Sequence, residues 1–124
     1  LDTPLSGFVV LGSSGEAALL DDEESDRVVA AARDAIPPGR PMIVGTGRES
    51  TRATIAASRR AGACGADAVI VRTPGFFKAQ MSTDTFVSHY LAVADQSPVP
   101  VLLYNFTSHL RPAVGSRCTR TSLA

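Results

Sequence analysis

The sequence predicts an α/β protein built on a parallel sheet, and two observations carry that prediction. Four short apolar runs recur along the chain: Gly7 to Leu11 (GFVVL), Met42 to Val44 (MIV, then GTG), Ala68 to Val71 (AVIV) and Val99 to Tyr104 (VPVLLY). Each is rich in Val, Ile or Leu and none alternates with polar residues, the pattern of strands buried on both faces. Stretches with helical spacing lie between them. The order therefore reads β-α-β-α-β-α-β, which calls for right-handed βαβ units.

The first helix follows Leu20. Asp21 can cap it, and Glu24 three residues on completes a capping-box variant. Val28, Ala32 and Ile36 then recur at a spacing of four, and Pro37-Pro38 stops the helix. The second helix runs from Ser50 to about Ala61, with Ile55 inside and Gly62 and Gly65 to end it. The third starts at Ser82 or Thr83. Phe86, Val87, Tyr90, Leu91 and Ala94 form its predicted apolar stripe, and Ser97-Pro98 closes it. Periodicity fits an open doubly wound sheet and a part of a (β/α)8 barrel equally well.

Composition narrows the function classes. The 124 residues hold 12 basic and 12 acidic side chains, are 44% hydrophobic and only 6% aromatic. Zero net charge excludes nucleic-acid binding through bulk positive charge, and the apolar content excludes a disordered polar chain. The apolar runs fall far short of the ~20 residues of a membrane span. The length suits one small domain. Cys64 and Cys118 are too few for a disulfide framework, and no C-x-x-C spacing suggests zinc. A reduced, cytoplasmic setting is expected, with no targeting segment leading the chain. The first residue is Leu1 rather than Met, which predicts a missing start. Eleven of the twelve basic residues are arginine, so Lys78 is the one lysine available for amine chemistry.

Several residues could carry chemistry. Gly12-Ser13-Ser14-Gly15-Glu16 follows directly on the first strand. In a parallel α/β fold that is the ligand-binding end, and glycines, hydroxyls and N–H groups there can hold an anion. Local pattern alone reads it as an ordinary βα turn with serine caps. No Walker lysine follows, so a nucleotide P-loop is not expected. Tyr104 ends the fourth strand, where a hydroxyl could relay a proton; taken alone it reads as a core tyrosine. Tyr90 sits on a helical stripe and reads as core. Thr73-Pro74-Gly75-Phe76-Phe77-Lys78 forms the loop after the third strand, with Lys78 solvated. Gly45-Thr46-Gly47 is a tight βα turn and an incomplete dinucleotide fingerprint. His89 has no second ligand at metal spacing, so no metal is expected. His109 carries no pattern. Asp21, Asp22, Glu23 and Glu24 read as a solvated helix start favoured by the macrodipole.

In order, GFVVLGSSGE, GTGREST, GADAVIVRTPGFFK and SPVPVLLYN resemble the dihydrodipicolinate synthase / N-acetylneuraminate lyase family of class I aldolases. Each block is weak alone; four in order at the right spacing are strong. The resemblance covers Gly7 to Asn105 and implies a partial (β/α)8 TIM barrel, its second to fifth strands with the intervening helices. GRESTRATI and the stretch MSTDTFVSHYLAVADQSPVPVLLY resemble 4-hydroxy-2-oxoglutarate aldolases most. Synthase members carry a loop tyrosine where this chain has Phe76 and Phe77, which leans toward an aldolase.

The resemblance implies that Ser13 and Ser14 grip a 2-oxo-acid carboxylate, and that Ser14 joins a proton relay. Tyr104 would be the relay tyrosine. The family's lysine forms a Schiff base with the 2-oxo carbon, and the imine stabilises the pyruvate enamine after cleavage. That lysine belongs at the end of the barrel's sixth strand, in a K-[DE]-S-type block. No such block occurs here, and Lys78 sits in a different loop. No cofactor is implied. The expected partner is a small pyruvate-type 2-oxo acid, with no nucleic acid or membrane, and a homo-oligomer at full length.

The family pattern stops after Asn105, where Phe106-Thr107 replaces an aliphatic residue and proline. Residues 1–105 therefore read as the partial barrel and residues 106–124 as an off-family tail, disordered or translated in a shifted frame. The expected function is a class I aldolase or lyase, such as one splitting 4-hydroxy-2-oxoglutarate into pyruvate and glyoxylate, with this chain an inactive fragment. The alternatives are a dihydrodipicolinate synthase and a non-catalytic half-barrel. An unrelated flavodoxin-like module would need a complete phosphate motif, which is missing.

Overall fold

The structure is a computed structural model that describes residues 4–76 and 81–105. Phe77, Lys78, His109, Cys118 and the tail from residue 106 lie outside the described residues. Among these residues four strands and three α-helices alternate: β1 (Phe8–Val10), α1 (Asp22–Ala35), β2 (Met42–Gly45), α2 (Thr51–Ala63), β3 (Ala68–Arg72), α3 (Thr83–Gln96) and β4 (Val101–Tyr104). All pairs are parallel, and the spatial order β1-β2-β3-β4 follows the chain.

That order decides between the two architectures left open by periodicity. A doubly wound sheet reverses its strand order at a switch point. An unreversed order with right-handed crossovers puts every helix on one face, as in a (β/α)8 barrel. Burial agrees. Met42, Val44, Val69 and Val71 are almost completely enclosed on the helix side. Their neighbours Ile43, Ala68 and Ile70, on the opposite face, are only half-buried. The expectation of strands buried on both faces is thus corrected. In this chain one face is covered, and on the other Val9 and Leu102 stay 60% and 43% exposed. In a closed barrel the remaining strands would cover that inner face.

The capping box forms as expected. The Glu24 N–H donates to Asp21 Oδ1 at 2.8 Å, and the Asp21 N–H donates to Glu24 Oε2 at 3.0 Å. The predicted stripe of α1 holds at Ala32 and Ile36 and fails at its first position: Val28 is exposed, whereas Ser25 and Val29 are buried. Steps of four drift around a helix by about 40° each, so a true stripe alternates threes and fours. The series 25, 29, 32, 36 does this. Asp22 also does more than face solvent, since it pairs with Arg60 of α2 at 2.7 Å.

α2 starts at the Ser50 cap and runs past Gly62, which lies inside its last turn. Gly65, at φ 88°, is the residue that ends it. Gly62 instead makes room for Pro98: a Cβ there would lie 2.5 Å from the proline Cγ. α3 carries the third correction. Its buried residues are His89 and Val93, while Val87 and Leu91 are exposed. The polar His89 hides the true stripe from a reading based on hydrophobicity. The core closes around Val29, Ile36, Ala61, Val93 and the helix-side strand residues.

Candidate active site at the strand ends

Parallel strands put all four C-terminal ends, and the loops that follow them, along one edge of the sheet. β1 leaves through Leu11, a non-glycine residue in the left-handed region at φ 58°. Such a conformation costs on the order of 1–3 kcal/mol and persists only where packing enforces it. The Leu11 side chain is anchored in the core. Its carbonyl oxygen seats directly on Gly45, where a Cβ would overlap it. Gly45 pairs with Ile70 and so belongs to the inner face. The loop after β1 therefore crosses the end of β2 on the inner side of the sheet.

Ser13–Gly15 then forms a single 3-10 turn, closed by Gly15 N–H to Gly12 O at 3.0 Å and Glu16 N–H to Ser13 O at 3.1 Å. Glu16, at φ 53°, ends it. Left-handed residues thus bracket the four residues Gly12 to Gly15. Ser13 and Ser14 are exposed, and neither hydroxyl has a partner among the described residues. Their N–H groups precede the turn's own hydrogen bonds, as the first donors of a helical turn do. Such donors suit an anion.

Tyr104 ends β4, paired in register with Arg72 of β3, on the inner face and 43% exposed. Its carbonyl accepts the Thr73 N–H at 3.2 Å. The serines and Tyr104 thus occupy the same end of the sheet with two strands between them. Along a flat sheet they would be about 14 Å apart, and barrel curvature shortens that span.

Sequence reasoning missed a clasp that ties the loop after β2 to the end of β3 and the loop that follows it. Arg72 donates to Glu49 Oε1 at 2.8 Å, and the Gly75 and Phe76 N–H groups both donate to Glu49 Oε2 at 2.9 Å. Burial opposes ionisation of Glu49, but the Phe76 and Gly75 donors and then Arg72 outweigh it, and its carboxyl sits below the ordinary value. Gly47 allows this clasp, because a Cβ there would come within 2.7 Å of the Arg72 nitrogen. One signal in the sequence pointed to it. Glu49 follows the GTG turn of β2, whereas four of the acids crowd at the start of α1.

On the outer side of this edge Tyr90 packs against the core as its stripe position implied, and His89, for which no core place was expected, is buried beside it. Tyr90 is half-buried, and its hydroxyl is pushed up to about 12 by burial. His89 Nδ1 lies 2.9 Å from Thr51 Oγ1, and burial lowers its pKa. A groove of about 570 Å³ lined by Glu49, Thr51, Pro74 and His89 opens beside them between α2 and α3. Among the described residues, Ser13, Ser14 and Tyr104 do not line it.

Comparison with known proteins agrees with this architecture. The sequence model of the dihydrodipicolinate synthetase family matches residues 1–116. An Emericella nidulans protein named "Probable 4-hydroxy-2-oxoglutarate aldolase, mitochondrial" is 45% identical over 106 residues, which cover 82% of this chain and 34% of that protein. A 4-hydroxy-tetrahydrodipicolinate synthase of Stenotrophomonas maltophilia is 43% identical, over 85% of this chain and 35% of its own length. The crystal structure of chloride-inhibited dihydrodipicolinate synthase from Acinetobacter baumannii, complexed with pyruvate, superposes with a TM-score of 0.76 at 33% identity, over 81% of this chain and 34% of that one. The chain spans about a third of the length of these relatives. With four consecutive parallel strands, helices on one face and a family match over most of its length, the chain belongs to the dihydrodipicolinate synthetase family.

Proposed function

We propose that this chain is part of a class I aldolase that makes or breaks a C–C bond in a pyruvate-derived 2-oxo acid. The observation that carries the reading is the strained loop at the end of β1, which presents Ser13 and Ser14 at the edge where Tyr104 ends β4. In this reading the two serines hold the substrate carboxylate, and Ser14 and Tyr104 relay a proton to or from the hydroxyl at the reacting bond. A Schiff-base lysine from a later strand supplies the electron sink. Residues 1–105 form the barrel portion, and residues 106–124 are read as a frame-shifted or disordered tail, although the family match runs on to residue 116. The functional protein works in the cytoplasm as a homo-oligomer.

The preferred substrate is 4-hydroxy-2-oxoglutarate, cleaved to pyruvate and glyoxylate. A second reading, synthesis of 4-hydroxy-tetrahydrodipicolinate, is favoured by the 43% identical bacterial relative. Phe76, which lacks a hydroxyl in the loop after β3, argues for the aldolase. The test begins with resequencing the gene across the Tyr104 codon and translating all three frames. A proline soon after the tyrosine, then a Lys-Asp/Glu-Ser block, identifies the protein to assay. Pyruvate release from 4-hydroxy-2-oxoglutarate, and a pyruvate adduct trapped by borohydride on the block's lysine, are the expected results. Activity only with pyruvate and aspartate semialdehyde would favour the synthase. An adduct on Lys78 would overturn the assignment of roles.

A further inference from the structure

Gly45 has no chemistry of its own, yet its contact decides how the loop after β1 leaves the sheet. Its pairing with Ile70 turns the place of a side chain toward the inner face, and the Leu11 carbonyl fills that place. A Cβ would overlap the carbonyl oxygen and come within 2.9 Å of the carbonyl carbon. We propose that Gly45 is a positioning residue: by seating the Leu11 carbonyl it holds Leu11 left-handed and aims the Ser13 and Ser14 N–H groups at a carboxylate ligand. The proposal rests on the reading of those serines as the carboxylate grip.

Two restraints converge on Leu11. Its side chain is fixed in the core, and its carbonyl is fixed on Gly45. Between them they enforce a backbone conformation that a leucine would otherwise leave. A side chain at position 45 forces the carbonyl to swing away. With the leucine side chain still held, the rotation must pass into the Leu11–Gly12 peptide and on to Ser13. The loop's donors then turn from their present direction, although nothing in the serines themselves has changed. Gly62 is also closely packed, against the Pro98 ring rather than a backbone carbonyl, at the far end of α2 from this loop. It separates a local positioning effect from a general loss of packing.

The test is an NMR titration of the isotope-labelled 124-residue chain with pyruvate, and with pyruvamide as the neutral comparator. The φ-sensitive backbone coupling of Leu11 is measured before ligand is added. In the wild-type chain the Ser13 and Ser14 amides should respond to pyruvate and not to pyruvamide. Gly45→Ala should shift the Leu11 coupling and weaken pyruvate binding by about tenfold or more, as small misplacements of binding groups do. Gly62→Ala should lower the melting temperature and leave both readouts in place. Wild-type affinity in a folded Gly45→Ala chain overturns the positioning role and leaves the carboxylate reading standing. Silence of both serine amides in the wild-type chain overturns that reading and the proposal with it. Should Gly45→Ala not fold, the Leu11→Gly/Gly45→Ala double variant carries the test, because glycine lets the carbonyl move without strain. Weak binding there supports the proposal, and wild-type affinity overturns it.

Discussion

Glu49 accepts from three donors at once, the Gly75 and Phe76 N–H groups and the Arg72 guanidinium. Burial disfavours its charge, but these donors more than compensate and lower its pKa from the ordinary 4.5. A carboxyl lowered on folding stabilises the native state fully above 4.5, and that contribution disappears as pH falls through the native value. Both side chains of the pair are nearly half exposed, so solvent screening limits the effect to less than about 1 kcal/mol. His89 acts in the same direction at higher pH. Burial lowers its pKa from 6.5, so the unfolded chain takes up its proton first and stability declines once pH drops below 6.5. Urea unfolding between pH 7 and 3 should therefore show two declining limbs. Glu49→Gln should flatten the lower limb and leave the upper one; a variant profile parallel to the wild type throughout would show that the clasp is not the acid-sensitive element.

At the scale of the element, α2 turns a face of small residues, Thr54, Ala57, Ser58 and Ala61, to the sheet and to its neighbours. Thr46 Oγ1 at the end of β2 lies 2.9 Å from Ser58 Oγ in a fully buried pair, and Ser58 also donates to the Thr54 carbonyl at 2.8 Å. Ser58→Ala strands a buried hydroxyl at the strand end, which should cost roughly 1–3 kcal/mol. Thr46→Val/Ser58→Ala, which removes both polar partners, should recover much of that loss in equilibrium denaturation; an equal loss in both would mean that the pair contributes only packing. This face also shows where the sequence was legible. The strands announced themselves as Val- and Ile-rich runs, and helix starts as Asp21, Ser50 and Ser82, because each feature is local. The buried faces were misread in α1 and α3 because Val28, Val87 and Leu91 are as apolar as the residues that pack. Only tertiary contact selects between them. The Glu49 clasp and the Gly45–Leu11 contact escaped for the same reason: each joins loops more than twenty residues apart, and periodicity carries no trace of such a pairing.

Across the whole molecule, the sheet is unequal from its centre to its edges. β2 and β3 are each paired on both sides, and their helix-side residues Met42, Val44, Val69 and Val71 are at most 1% exposed. Among the described residues β1 and β4 are each paired on one side only, and β4 keeps Leu102, Leu103 and Tyr104 exposed by 43%, 62% and 43%. Local stability follows buried apolar contact and protected backbone hydrogen bonds, so opening should proceed from the edges inward. Native-state hydrogen exchange should find the slowest amides in β2 and β3. Those of β4 should exchange with a small opening free energy, insensitive to Met42→Ala. That substitution removes a fully enclosed side chain and should cost about 2–5 kcal/mol globally. It should bring the β2 and β3 amides down together while β4 is unchanged. The functional consequence is that Tyr104 stands on the least stable strand and Ser13 and Ser14 on a strained loop at the opposite edge. Both halves of the candidate site then stand on the strands expected to open first. Uniform protection of all four strands would contradict this ordering and would mean that the edges are as firmly held as the centre.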